Sequence, residues 1–174
     1  ADMQYPQINK PSGITTYDII RAIKPMIPKT KIGHCGILDP FATGLVIIAI
    51  GRNFTKQLHS LQKLDKTYIA NIKLGTETDS YDIDGKIVKT YDKPILISTE
   101  QLNKTISNFI GPIEQMPPIF SAKKINGKPA YKLARKGQTV ELKPSSITIH
   151  NITCLEFIKE TLNLHIECSS GTYI

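Results

Sequence analysis

The apolar positions near the start of the chain predict a turn and an amphipathic helix. Residues 10–13 (KPSG) indicate the turn, and Thr15 with Asp18 then matches the S/T-x-x-D/E signal of a helix start. Four isoleucines would lie on one side of that helix: Ile19, Ile20, Ile23 and Ile27. Pro25 should end or bend it, because proline disrupts a helix interior.

Loop and strand patterns dominate the rest of the chain. The glycine-punctuated residues 33–44 predict a loop, and the apolar run 45–51 is typical of a buried strand. Strict alternation predicts another strand at 67–75, with Tyr68 on its more apolar side. The other predicted elements are a short helix at 55–63, a strand at 86–91, a helix opened by residues 98–101 and closed by Gly111-Pro112, a short helix near 129–136, and two or three strands within 146–174.

The order of these elements favours an α+β fold around a mixed sheet. Helices and strands do not follow the strict βαβ alternation that builds a parallel sheet. A length of 174 residues is enough for one well-packed domain and short for two full-sized ones. We therefore expect a single domain.

Composition narrows the class of protein. Hydrophobic residues make up 40% of the chain and charged residues 21%. No apolar run is long enough to span a bilayer, and the sequence does not start with the charged-then-apolar pattern of a secretion signal. Three widely spaced cysteines, Cys35, Cys154 and Cys168, suggest neither a disulfide framework nor a zinc site. We expect a soluble, cytoplasmic protein.

Positive charge is concentrated in one stretch of the chain. The net charge is +7, and residues 115–144 alone carry seven basic residues against one acid, Glu141. The basic residues are Lys123, Lys124, Lys128, Lys132, Arg135, Lys136 and Lys143. Such clustering is expected of a segment that binds a polyanion, although a solvated basic face has the same composition.

Residues 33–44 (GHCGILDPFATG) hold the candidate chemistry. Three glycines surround one histidine and one acid, and Pro40 biases Asp39 towards an extended backbone from which its side chain can project. Asp39 so placed could act as a nucleophile. From the residues alone, a turn-capping role for Asp39 and a structural role for His34 are the favoured interpretation, and the nucleophile remains the alternative.

The same segment resembles the TruB family, tRNA pseudouridine synthases that isomerise uridine 55 in the T loop. Seven blocks match family motifs in the family's order: 10–18 (KPSGITTYD), 33–44 (GHCGILDPFATG), 66–75 (KTYIANIKLG), 76–85 (TETDSYDIDG), 115–122 (QMPPIFSA), 131–137 (YKLARKG) and 169–174 (SSGTYI). Cys35 departs from the family, which usually has threonine there. The resemblance implies a pseudouridine synthase fold, with a largely antiparallel sheet flanked by helices.

The resemblance also implies roles for individual residues. Asp39 would be the nucleophile, His34 would help hold the flipped nucleotide, and Tyr68 would stack on the target base. Tyr173 would line the same pocket, although Tyr68 and Tyr173 could equally be core tyrosines. Lys10 and Lys56 are candidates for phosphate contacts or for supporting the site.

Further expectations concern RNA binding and partners. Residues 115–144 would correspond to an RNA-gripping thumb insertion within a catalytic domain of residues 1–174, with six RNA-binding side chains: Lys123, Lys124, Lys128, Lys132, Arg135 and Lys136. The enzyme would act on the T stem-loop of tRNA as a monomer, with no metal, organic cofactor, membrane or obligate protein partner.

The sequence also allows three other interpretations of function or metal binding. A guide-RNA-dependent pseudouridine synthase and a non-catalytic RNA-binding or RNA-folding module would share the basic segment. Asp79, Asp82 and Asp84 superficially resemble a calcium loop, but the glycine and the final glutamate of that motif are misplaced, so a solvated acidic turn is preferred.

The resemblance also implies a residue beyond the last motif of the sequence. In the family, the motif of residues 169–174 continues into an arginine that would pair with the catalytic carboxylate, and the sequence stops at Ile174. An opposite charge beside a carboxylate keeps it ionised and oriented. We expect these residues to be a fragment that turns over more slowly than a longer chain.

Overall fold

The computed structural model describes residues 5–119, 124–125, 128–129, 136–137 and 141–174. The chain divides into two compact units, residues 1–64 and residues 65–174. The helices are α1 (Thr16–Ile23), α2 (Arg52–Thr55), α3 (Leu58–Gln62) and α4 (Thr99–Ser107), with a 3₁₀ turn at Lys24–Met26. The strands are β1 (Gln7–Lys10), β2 (Ile32–Cys35), β3 (Gly44–Ile50), β4 (Lys66–Lys73), β5 (Thr76–Thr78), β6 (Ile87–Thr90), β7 (Gly111–Gln115), β8 (Lys124–Ile125), β9 (Lys128–Pro129), β10 (Ser145–Ile158) and β11 (Thr161–Cys168).

The first unit is a three-stranded antiparallel sheet in the order β1-β3-β2, packed against α1. Its core consists of Ile19 and Ile20 of α1 together with Val46 and Ile48 of β3. Because β1 and β2 both run antiparallel to β3, both run towards the start of β3, and they end opposite Gly44 and Ile47, respectively. The loops that follow β1 and β2 therefore emerge at the same end of the sheet.

The second unit is built on a four-stranded antiparallel sheet in the order β4-β11-β10-β7. Leu102 of α4 packs with apolar residues of the central strands β10 and β11 to form the core. The short hairpins β5-β6 and β8-β9 complete the pairings. Every strand pair within the described residues is antiparallel, and the α+β fold class predicted from the sequence is confirmed.

Both long helices begin at capping boxes. The Thr15 hydroxyl accepts a hydrogen bond from the Asp18 N–H, and the Asp18 carboxylate accepts one from the Thr15 N–H. Ser98 and Gln101 make the same reciprocal pair at α4. Each box satisfies two N–H groups that a helix start leaves unpaired. The predicted starts of these helices are confirmed.

Six short strands were missed by the sequence patterns. β1, β5, β7, β8 and β9 were not predicted, and β2 overlaps the segment predicted as a loop. The predicted helix at 55–63 is two short helices, α2 and α3, with a break between them. Most of the predicted helix near 129–136 lies outside the described residues. No helix in the described part of the chain is long and apolar enough to cross a membrane.

Candidate active site

Asp39 lies in a turn whose backbone is anchored on both sides. The Asp39 carbonyl accepts a hydrogen bond from the Ala42 N–H at 3.0 Å, with Pro40 at the second position, where proline favours such turns. On the other side, Leu38 packs against the core of the first unit, and its N–H donates to the Thr16 hydroxyl at 3.3 Å. Asp39 itself is exposed. The fold thus places an exposed aspartate on a backbone that is fixed on both sides.

Lys10 ties the Asp39 turn to the loop after β1. Its side chain is fully buried, and its Nζ donates to the carbonyls of Pro11 (2.9 Å), Ile14 (2.8 Å) and Pro40 (3.1 Å). An ammonium group has three donors, so these bonds use all of them. The Pro40 carbonyl also accepts from the Gly13 N–H at 2.8 Å, and the positive φ of Gly13 (94°) suits glycine.

This geometry favours one of the two roles predicted for Lys10. A fully buried ammonium with three backbone acceptors has no donor left for a phosphate. The alternative prediction, support of the site, fits the observed contacts. Lys56 is exposed at the end of α2, and its predicted contact with substrate stays a prediction.

His34 lies at the end of β2 with its ring orientation set by a backbone bond. Its Nδ1 is 2.9 Å from the Gly36 carbonyl oxygen. A carbonyl can only accept, so Nδ1 carries a proton, and Nε2 is the nitrogen left for other partners. Gly36 has a φ of 79°, a conformation that glycine adopts without strain and that turns its carbonyl back towards the ring.

His34 and Asp39 line one cavity. Its volume is about 200 Å³, and its walls come from the start of α1, the end of β2 and the Asp39 turn. Thr16, Tyr17 and Ile37 also line it. Two candidate residues that are five positions apart in the sequence are therefore brought to the same cavity.

Three residues of α1 near this cavity were not identified from the sequence. Thr16 is buried and bonds the Leu38 N–H, as described above. Tyr17 lines the cavity, and the Arg21 guanidinium carbon lies 4.8 Å from the centroid of its ring. The spacing of Tyr17 and Arg21, one helical turn, was the available signal, because residues four apart on a helix are neighbours.

Tyr68 of β4 belongs to the second unit. It pairs with Ile166 of β11 and is half-buried against the apolar core of this unit, together with Ala70. The predicted orientation towards the more apolar side of the strand is confirmed. A role in stacking on a base stays a prediction.

Tyr173 is held by its backbone. Its N–H donates to Oε1 of Gln115 at 2.8 Å, and its carbonyl accepts from Nε2 of Gln115 at 2.7 Å. One amide side chain at the end of β7 therefore pairs with Tyr173 as another strand would. The Tyr173 ring is partly exposed. Gln115 was not singled out in the sequence, because no local pattern links residues 58 positions apart.

The basic residues predicted to bind RNA lie largely outside the described residues. Lys123, Lys132 and Arg135 lie there entirely, and for Lys124 and Lys128 only the backbone, in β8 and β9, is described. Lys136 is exposed in a turn. Binding of RNA by this segment stays a prediction.

The acidic turn after β5 is organised by its own hydrogen bonds. Oδ1 of Asp79 accepts from the Lys86 N–H at 2.8 Å. Oδ1 of Asp82 accepts from the Ser80 hydroxyl at 2.7 Å and from the Asp84 N–H at 3.0 Å. These contacts give Asp79 and Asp82 a structural role in the turn.

The family of the chain follows from comparison with known proteins. The family model described as TruB family pseudouridylate synthase, N-terminal domain, matches residues 24–174. The chain belongs to the TruB family.

Curated relatives match nearly the whole chain. A tRNA pseudouridine synthase B of Protochlamydia amoebophila is 46% identical, over 96% of this chain and 63% of the relative. One of Francisella philomiragia is 45% identical, over 96% of this chain and 55% of the relative. A putative tRNA pseudouridine synthase B of Rickettsia prowazekii is 47% identical, over 93% of this chain and 94% of the relative. The chain thus spans little more than half the length of the first two.

Solved structures share the fold at low identity. A chain in the crystal structure of a Cbf5-Nop10-Gar1 complex matches with a TM-score of 0.70 and 20% identity, covering 98% of this chain and 41% of that one. A chain in a structure of an H/ACA RNP bound to a substrate RNA containing 2′-deoxyuridine matches with a TM-score of 0.66 and 18% identity, over 98% of this chain and 39% of that one. These likenesses support the pseudouridine synthase fold of the TruB family.

Proposed function

We propose that this chain is the catalytic part of an isomerase that converts uridine to pseudouridine at position 55 in the T loop of tRNA, with Asp39 as the nucleophile. The observation that carries the proposal is the exposed Asp39 beside a cavity, on a turn held by Lys10, Gly13 and Thr16, in a member of the TruB family. The names of the curated relatives support tRNA as the substrate.

The proposed reaction needs a nucleophile and no redox partner. The N1–C1′ bond breaks, the uracil turns, and C5 joins C1′; C5 then loses a proton and N1 gains one, so atoms and electrons balance. An ionised carboxylate can add to C6 of the base or to C1′ of the sugar and leave again at the end, dividing one difficult step into easier ones. The chain's own geometry is compatible with either route.

The other residues would hold the extruded nucleotide. Taking a base out of folded RNA costs roughly a few kcal/mol, and stacking on an aromatic ring such as Tyr68 returns about 1–3 kcal/mol. His34 lines the cavity with Asp39, so its Nε2, which has no partner among the described residues, would be available to the nucleotide. The basic residues of 115–144 would supply phosphate contacts, which orient RNA without reading its sequence.

We further propose that the enzyme works in the cytoplasm as a monomer, without metal or organic cofactor and without an obligate protein partner. An isomerisation that neither gains nor loses electrons requires no redox group. Identity of 45–47% to proteins named tRNA pseudouridine synthase B, against 18–20% to chains of H/ACA complexes, favours the stand-alone enzyme over a guide-RNA-dependent one.

The direct test of the reaction and substrate is nucleoside analysis of unmodified tRNA incubated with the purified protein. Pseudouridine should form at position 55 without any added guide RNA, and a tRNA with cytidine at that position should remain unmodified. If tRNA binds but no pseudouridine forms under any condition, the non-catalytic RNA-binding module becomes the better account. If modification requires an added guide RNA, the guide-RNA-dependent enzyme becomes the better account.

A further inference from the structure

Tyr17 is an exposed aromatic residue at the candidate active site, and none of the roles above uses it. It is 53% exposed, yet it lines the same cavity as His34 and Asp39. A tyrosine that served the core of the first unit would be buried, as Ile19 and Ile20 of the same helix are. The ring is therefore available to a partner that enters or borders the cavity.

Arg21 restrains this ring. Its guanidinium carbon is 4.8 Å from the ring centroid, a cation–π distance, and Nη1 is 3.4 Å from Oδ1 of Asp18. Asp18 is itself fixed by the capping box with Thr15. Held from one side by a cation, the ring loses less conformational freedom when a ligand stacks on it, which favours binding.

We propose that Tyr17 and Arg21 form a second nucleotide subsite, in which a base next to the target uridine stacks on Tyr17 and Arg21 contacts that nucleotide's phosphate. The proposal rests on the proposed function, because it takes the cavity to be the site of the target uridine. A strand whose nucleotide occupies the cavity must continue past its mouth, and Tyr17 both lines the cavity and is exposed to solvent. An aromatic face accepts any base, and a guanidinium suits a phosphate.

The competing explanation is a surface pair that only stabilises α1. Tyrosine and arginine four residues apart on a helix attract each other whether or not RNA is present. That explanation predicts that variants change the thermal stability of the protein and leave RNA binding alone.

Fluorescence of a base analogue distinguishes a nucleotide subsite from a surface pair that only stabilises α1. A T stem-loop RNA carries 2-aminopurine on one or the other side of the target uridine, since stacking quenches its emission. Wild type and Tyr17→Phe should quench the analogue at one of these positions. Tyr17→Ala should lose the quenching and bind about tenfold more weakly. Met26→Ala, at an exposed apolar residue that does not line the cavity, is the matched control and should behave as wild type.

Arg21 has its own prediction in the salt dependence. Arg21→Gln should lower the slope of log affinity against log salt by about 0.7, the value for one phosphate contact in single-stranded nucleic acid, and Arg21→Lys should retain the slope. Tyr17→Leu, which keeps an apolar side chain without a ring, replaces Tyr17→Ala if the latter unfolds.

The subsite is refuted if wild type and the ring-less variant quench 2-aminopurine equally at both positions and bind with equal affinity. Failure of the proposed function looks different. In that case, wild type forms no pseudouridine in tRNA even though Tyr17 still quenches a bound base.

Discussion

At the scale of single residues, Lys10 shows how one buried side chain can organise a site that it does not enter. Burying a charge is unfavourable unless polar partners replace water. Here three carbonyl dipoles do so, from Pro11, Ile14 and Pro40. The lysine thereby connects the loop after β1 to the turn that carries Asp39.

Lys10→Met should destabilise the protein by about 2–4 kcal/mol, because it removes three hydrogen bonds from a buried cation, whose Nζ is a donor to the Pro11 and Ile14 carbonyls as well as to Pro40. The single-turnover rate should fall, since the Asp39 turn is less well fixed, while the salt dependence of tRNA binding should not change. Chemical denaturation and filter binding measure the two quantities. A reduced salt slope with unchanged stability would instead make Lys10 a phosphate ligand.

Only some of these residues and contacts could be predicted from the sequence. The TruB motifs singled out Asp39, His34 and Lys10, but composition and spacing left open whether Asp39 is a nucleophile or a turn residue. In the structure its backbone carbonyl closes a turn while the residue stays exposed, so the two interpretations are compatible. The burial of Lys10 depends on Pro40, thirty positions away, and no local pattern reports such a contact.

At the scale of elements, α1 is stabilised by a capping box that depends on pH. Hydrogen bonds from the backbone and side chain of Thr15, with a smaller contribution from the charge of Arg21, lower the pKa of Asp18 from its ordinary value of 3.8. A lowered pKa in the folded state means that the stabilisation is complete above that ordinary value and is lost as the pH falls through the folded-state pKa.

Asp18→Asn should therefore reduce the unfolding temperature at neutral pH, and the difference from wild type should shrink as the pH falls from about 5 to about 2. Thermal unfolding followed by circular dichroism at several pH values measures this. A difference that stays constant over that range would show that the ionised carboxylate of Asp18 contributes nothing to the cap.

A second element-scale prediction concerns the pairing of Gln115 with Tyr173. Gln115→Leu removes two hydrogen bonds, each worth about 0.5–1.5 kcal/mol, so exchange of the Tyr173 amide hydrogen should accelerate about tenfold or more. Gln115→Glu keeps an acceptor for the Tyr173 N–H and should have a smaller effect. Hydrogen exchange followed by NMR reports on this amide. Equal exchange rates in all three proteins would mean that the side chain of Gln115 does not anchor the segment.

Local signals explain which elements the sequence predicted. The starts of α1 and α4 depend on residues three positions apart, so their caps could be recognised directly. β7 was missed because it begins with Gly111-Pro112, which is unusual within a strand. The proline is tolerated because, among the strands that the structure describes, β7 pairs only with β10 and needs no donor on its other side. Such a strand is specified by its distant partner.

At the scale of the whole molecule, the excess positive charge is concentrated in one segment, predicted to bind RNA, while the rest of the chain is nearly neutral. Residues 39–114 contain nine basic and nine acidic residues, whereas residues 115–144 carry an excess of six positive charges. Affinity for RNA that depends on phosphate contacts falls steeply with salt. The salt dependence is therefore the property through which this segment can be tested.

Replacing Lys123, Lys124 and Lys132 by glutamate should weaken tRNA binding and lower the slope of log affinity against log salt by roughly one unit for each phosphate that the protein no longer binds. The same replacement at Lys86, Lys89 and Lys93, which are exposed lysines of the neutral segment, is the matched control for net charge. Equal slopes in the two triple variants would mean that only overall charge matters.

The central claim, that Asp39 carries out the isomerisation of uridine in tRNA, is tested most directly by tritium release. Single-turnover release from tRNA labelled at C5 of uridine is compared for wild type and Asp39→Asn, with tRNA binding measured for both. The variant keeps the volume of the side chain and loses its charge and nucleophilicity, so we expect no detectable release and tRNA affinity within about tenfold of wild type. Detectable release of tritium by purified Asp39→Asn would contradict the account.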